Sequence, residues 1–163
     1  MDRAGKKTSA AIHQEVTREV ETLLHRVFAE RRNCGGINLE AVEMAIRSAL
    51  HCAGAAALGQ LLHYSPPAVD QRRLLCVCGQ QVHYVELRIK QVRTALGPIS
   101  IERPYYLCPS CHRGQFPVDR ELDVQDTELS SGVRRMMALV GHEVPFNRAR
   151  AQLKLLADHF RLA

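Results

Sequence analysis

The chain has 163 residues, 46% of them hydrophobic and 24% charged, which excludes a disordered or fibrous protein and sets a size of one or two small domains. No run of about 18 apolar residues could span a bilayer, and the basic start from Met1 to Lys7 leads into no apolar signal core, so the expectation is a cytoplasmic protein with no membrane partner. The formal charge of +5 is unevenly spread: residues 1–71 carry eight basic and eight acidic side chains, 72–115 seven and two, 116–129 one and five, and 130–163 six and two.

Within residues 1–63, Ile12, Val16, Val20, Leu23, Leu24, Val27 and Phe28 recur at helical spacing and predict an amphipathic helix over 9–32. Asn33-Cys34-Gly35-Gly36 ends it, because paired glycines break helices. Asn38 is the expected N-cap of a second helix over 38–62, with Glu40 in its first turn and a stripe from Leu39 through Val42, Ile46, Leu50, Leu58 and Leu61. The small residues from Cys52 to Ala57 let another helix approach closely, so the pair is expected to form a helical hairpin or to build a homodimer with a second copy. Tyr64-Ser65-Pro66-Pro67 stops the second helix, and 64–75 reads as a linker.

Residues 76–115 read as a zinc ribbon. Cys76-Val77-Cys78-Gly79 and Cys108-Pro109-Ser110-Cys111 offer four thiolates, the donor set of a closed structural zinc site, and in a reducing compartment paired cysteines point to metal rather than to disulfides. The predicted ligands are Cys76, Cys78, Cys108 and Cys111. The first pair has a single spacer residue, which leaves His83 and His112 as alternative ligands, while Cys34 and Cys52 are left over. Gly79 and Gly114 are expected to let the backbone turn tightly beside the sulfurs. Between the pairs, 82–95 and 99–107 read as two strands with Leu96-Gly97-Pro98 as the turn, a hairpin too small to be stable without a metal. Four cysteines close the coordination shell and leave no position for water, so neither catalysis nor a small-molecule substrate is expected.

Residues 116–129 read as a solvated acidic loop, since Asp119, Glu121, Asp123, Asp126 and Glu128 lie too close together to place catalytic metals. Over 130–163, Ser130 or Ser131 caps a helix bearing Val133, Met136, Met137 and Val140. Pro145 opens another, with Phe146, Ala149, Leu153, Leu156, Ala157 and Phe160 on one face. Two short helices around a glycine-containing turn resemble a helix-turn-helix, whose second helix would present Asn147, Arg148, Arg150, Gln152 and Lys154 to double-stranded DNA. Arg134 and Arg135 on the first helix, with Arg88, Lys90, Arg93 and Arg103 of the basic ribbon, are the further candidate DNA contacts. The expected class is therefore α+β and mostly helical, with an N-terminal helical hairpin, a central zinc-ribbon β-hairpin and a C-terminal helix-turn-helix-like pair.

Several separated motifs occur in an order similar to the N-terminal region of bacterial insertion-sequence transposases of the ISKra group. They are Ala55-Ala56-Ala57-Leu58, Arg93-Thr94 through Gly97-Pro98, Arg103-Pro104-Tyr105-Tyr106 leading to Cys108-Pro109-x-Cys111, Phe116-Pro117-x-Asp119, Ser131-Gly132-Val133-Arg134-Arg135-Met136 and Glu143-Val144-Pro145-Phe146. The resemblance covers roughly residues 40–158. It implies the DNA-binding front end of a transposase that recognises transposon ends. The RNase-H-like catalytic domain of that family is not expected here, since the sequence stops short of it, so no catalytic residue carries over. A stand-alone zinc-ribbon module that docks a protein partner is the alternative.

Overall fold

The computed structural model describes residues 9–33 and 38–143, together with Pro145 and Arg148. The element order is α1 (Ser9–Asn33), α2 (Leu39–Leu61), a 3-10 turn at Val69–Gln71, β1 (Arg73–Leu75), β2 (Gln81–Thr94), β3 (Gly97–Leu107), β4 (Gly114–Gln115), α3 (Pro117–Glu121) and α4 (Ser131–Glu143). The class is α+β, as expected. The second helix of the expected helix-turn-helix-like pair, and Cys34 with its glycines, lie outside the described residues. No helix among the described residues is long and apolar enough to cross a membrane.

Both N-terminal helices form where periodicity places them, and α1 lies against α2. Asn38 caps α2, its Oδ1 accepting from the Ala41 N–H at 3.2 Å. The strands form one antiparallel sheet in the order β1-β2-β3-β4, dominated by the long β2–β3 hairpin. A bulge between Tyr84 and Glu86 gives β2 one extra residue there.

The turn differs from the expectation. Thr94 pairs with Gly97, so the two loop residues are Ala95 and Leu96, and Pro98 already belongs to β3. Thr94 supplies the turn chemistry: its hydroxyl donates to the Gly97 carbonyl at 2.7 Å and accepts from the Leu96 N–H at 3.2 Å. The outer side of β3 is paired only at Tyr106 and Leu107, so Pro98 and Pro104 lie where that side has no partner strand.

Two expected boundaries dissolve. The 64–75 segment is no linker: Tyr64 packs against the main core, and β1 pairs with β2 from Arg73↔His83 to Leu75↔Gln81. The helix already ends at Leu61 with Leu62 as its C-cap, and Pro66 and Pro67 lie in the segment that leads the chain onto the sheet. That core joins Ala55 and Leu58 of α2 and its C-cap residue Leu62 to Val92, Ile99 and Ile101 of the hairpin, so helices and ribbon share one interior. Nor is 116–129 a solvated loop. Val118, Asp119 and Val124 are buried, and Val124 belongs to the same core. Beyond it, Arg93 donates to the Glu128 carbonyl and accepts from the Ser130 N–H, which ties the start of α4 to β2. Ser130 is the cap of α4, accepting from the Val133 N–H, and Val133 is fully buried beside Ala95, Leu129 and Met137.

Candidate metal centre

The sheet brings the two cysteine pairs together at one end. β1 delivers Cys76 and Cys78, and β3 delivers Cys108 and Cys111 into a second tight turn. In the first turn the Gly79 N–H bonds the Cys76 carbonyl at 2.9 Å and the Cys76 N–H bonds the Gln80 carbonyl at 2.7 Å. In the second, the His112 N–H bonds the Cys108 carbonyl and the Cys108 N–H bonds the Arg113 carbonyl, both at 3.0 Å. Each turn needs one left-handed residue, and these are Gly79 (φ +82°) and His112 (φ +54°). Gly114 therefore has another role than turning the chain. A Cβ there would stand 2.6 Å from the Tyr105 ring, so its lack of a side chain makes room for that tyrosine.

All four sulfurs lie within 4.8 Å of one another, with Cys76 to Cys111 and Cys78 to Cys108 both at 3.6 Å. That spacing is far beyond an S–S bond of about 2.0 Å. It fits tetrahedral coordination, since bonds of about 2.3 Å place sulfurs about 3.8 Å apart. The electrostatics also call for a cation. Backbone N–H groups of Cys111 and Ser110 hold the Cys108 thiol down, to about 6. The Gln80 N–H draws the Cys78 thiol down as well, but the Cys76 sulfur, desolvation and the Cys108 and Cys111 sulfurs together outweigh it and push Cys78 up to about 12. Four thiolates cannot coexist so closely without a positive ion between them. The four cysteines could hold a metal ion, and single-residue spacing in the first pair is no obstacle to it. His83 and His112 are both exposed and stand outside the cluster, and Cys52 is exposed on α2.

The candidate DNA contacts have diverse surroundings. Arg103 is buried: its Nε donates to Asp119 Oδ1 at 2.5 Å, its Nη1 to the Arg88 carbonyl at 3.0 Å, and its guanidinium lies 3.9 Å over the Phe116 ring. Lys90 donates to Asp119 Oδ2 at 3.2 Å and to the Val124 carbonyl at 2.7 Å. Both cations are thus turned inward onto one buried carboxylate. Arg88 is exposed, bonded to Glu86 at 2.7 Å and stacked 3.8 Å over Tyr105, whose ring lies 4.9 Å from that of Phe116. Arg93 is exposed, and Arg134 is bonded to the Asp123 side chain. Arg135 is exposed with no partner among the described residues. Arg148 is exposed, whereas Asn147, Arg150, Gln152 and Lys154 lie outside the described residues.

Reading the acidic run as solvent-facing misses Asp119, although Phe116-Pro117-x-Asp119 and Arg103-Pro104-Tyr105 stand out as motifs. Those are the residues that meet in this network. No family model, no curated protein and no solved structure matches the chain.

Proposed function

We propose that the chain is the DNA-binding portion of a transposase, built on a structural zinc site and recognising transposon-end DNA without chemistry of its own. Zinc is the ion favoured by four cysteines in a tetrahedral arrangement with no open position. The observation that carries DNA binding is the basic surplus on a sheet held by the metal centre. With Lys90 and Arg103 neutralised internally, Arg72, Arg73, Arg88, Arg93 and Arg113 remain exposed on the ribbon against Glu86 and Glu102. Arg135 and Arg148 extend the basic character towards the C-terminal residues, where helical spacing in the sequence predicts a reading helix.

The test is a titration of zinc-loaded protein against transposon-end duplex and an unrelated duplex at several salt concentrations, with Mg²⁺ present. Salt-dependent binding without strand cleavage is expected. Arg88→Ala with Arg93→Ala should weaken binding to both duplexes and flatten the salt slope by about 0.9 per lost phosphate contact. A second reading, a stand-alone zinc-ribbon docking or regulatory module, is favoured by the exposed apolar side chains at the first cysteine turn, and failure to bind DNA at low salt would select it. Cleavage by the wild-type chain would overturn the non-catalytic assignment.

A further inference from the structure

A groove of about 780 Å³ opens beside the metal centre, between β1 and the first cysteine turn on one side and β4 with the start of α3 on the other. β1 and β4 are the two outer strands of the sheet, so the groove runs between its two free edges. Its apolar wall includes Leu75 and Val77, 76% and 79% exposed. Its rim carries Arg113 and Arg120, exposed and without side-chain partners among the described residues, against one exposed acid, Asp126, while Asp119 is already engaged by Arg103 and Lys90, so the free charge of the groove is basic by two to one.

The edge of β1 has a defined polarity. The Arg72 carbonyl accepts from the Tyr84 N–H and the Cys76 N–H donates to the Gln80 carbonyl, so the even-numbered residues bond β2. Alternation then turns the backbone N–H and C=O groups of Arg73 and Leu75 outward into solvent. An extended backbone can bond those groups, and its side chains then meet the groove wall.

We propose that this groove binds an extended polypeptide segment that alternates acidic and apolar residues, laid along the outer edge of β1. Its apolar side chains cover Leu75 and Val77, and its carboxylates meet Arg113 and Arg120. Other occupants fit less well. Nucleic acid has no ring to stack on here, because Phe116 is engaged by Arg103 and Tyr105. A second copy would bring Arg113 and Arg120 towards their own like charges across a two-fold axis. Residues 130–163 of this chain are themselves basic, six against two. The proposal deepens the docking reading; of the arginines assigned above to DNA it takes Arg113 alone and leaves Arg72, Arg73, Arg88 and Arg93 for the duplex.

The experiment uses full-length zinc-loaded protein and a fluorescent heptapeptide alternating glutamate with valine, with a lysine-for-glutamate peptide as its counterpart. Saturable binding of the acidic peptide is expected, with amide shifts at Arg73 and Leu75 in ¹⁵N spectra. Arg113→Glu with Arg120→Glu should weaken it by roughly tenfold, and added salt should weaken it as well. No binding, equal binding of the lysine peptide, or shifts confined to α2 would overturn the proposal. So would displacement by duplex DNA that the same two substitutions abolish, or concentration-dependent self-association lost with Val77→Asp. Zinc content and circular dichroism check the fold of each variant; should the double reversal unfold, the peptide comparison and salt series on wild type decide alone. Duplex binding on the same preparation separates this outcome from the DNA reading, because peptide binding can fail while DNA binding stands, and the reverse.

Discussion

Asp119 does more for this molecule than its acidic neighbourhood suggests. Its two oxygens receive Arg103 at 2.5 Å and Lys90 at 3.2 Å, with all three side chains largely withdrawn from water. Removing one partner of a buried ion pair leaves the other charge desolvated and unmatched, which costs about 3–5 kcal/mol. Asp119→Asn is therefore expected to lower the unfolding free energy by about that amount in urea titrations, while Glu121→Gln, on an exposed side chain, should stay within about 0.5 kcal/mol. Sequence reading misses this role because five acids within residues 116–129 look solvated, and the neutralising cations lie on distant strands. Gly114 is a parallel case, since nothing local says that a glycine two residues before Phe116 makes room for Tyr105. Gly114→Ala should displace that ring and cost about 1–3 kcal/mol, and much of the loss should vanish in a Tyr105→Ala background, measured as non-additivity in a double-mutant cycle.

At the scale of elements, long periodic segments are legible and short ones are not. The helices α1 and α2 and the β2–β3 hairpin follow from patterns sustained over many residues, and the four clustered cysteines from their two close pairs. β1 has three residues and β4 two, too few for any alternation to register, and α3 has five. Their formation depends on the neighbours they find: β1 the edge of β2, β4 the end of β3, and α3 the buried cations of the sheet. The metal centre depends on those short pieces, because the first cysteine turn continues directly from β1. Chelation is expected to release β1 and both cysteine turns while leaving α1 and α2 helical, which amide exchange with and without a chelator would resolve. The pH dependence follows from the thiols. Cys78, pushed up to about 12, keeps its proton at neutral pH until a metal displaces it, so binding releases protons and affinity rises with pH. Cys108, held near 6, is ionised above that pH and protonated below it. One more proton must then be displaced, so metal affinity should fall more steeply on acidification below about pH 6, a break that chelator competition across pH would reveal.

For the whole molecule, the shared core changes what the N-terminal helices are for. α2 is no separate appendage, because its Ala55 packs on Gly97 of the hairpin and its Leu58, with the C-cap residue Leu62, joins Val92, Ile99 and Ile101. With one flank on the sheet and another against α1, α2 still leaves Leu39, Ile46, Leu50 and Leu61 exposed in a line at spacings of seven, four and eleven, which is one helical stripe. Leu24 and Phe28 are also exposed on α1, four residues apart. Surface leucines scattered singly need no explanation, but Leu39, Ile46 and Leu50 share one face over the first half of α2, which suits an association surface there. Before Leu61, by contrast, that face carries buried Ala53 and Gly54, which lies against Leu96. Residues 1–71 balance eight basic against eight acidic side chains, so this region has no net attraction to DNA and no net self-repulsion. Glu43 and Arg47 line the same surface as Ile46 and Leu50, so the apolar patch is bordered by charges of both signs. We therefore expect the chain to dimerise through α2, and expect Ile46→Glu with Leu50→Glu to yield monomer in sedimentation velocity without loss of helicity or of metal binding. Both residues are exposed, so the substitutions test association rather than folding. A wild-type chain that sediments as a monomer at all concentrations would sink the dimer, and the proposed DNA binding would then rest on a single copy of the basic ribbon.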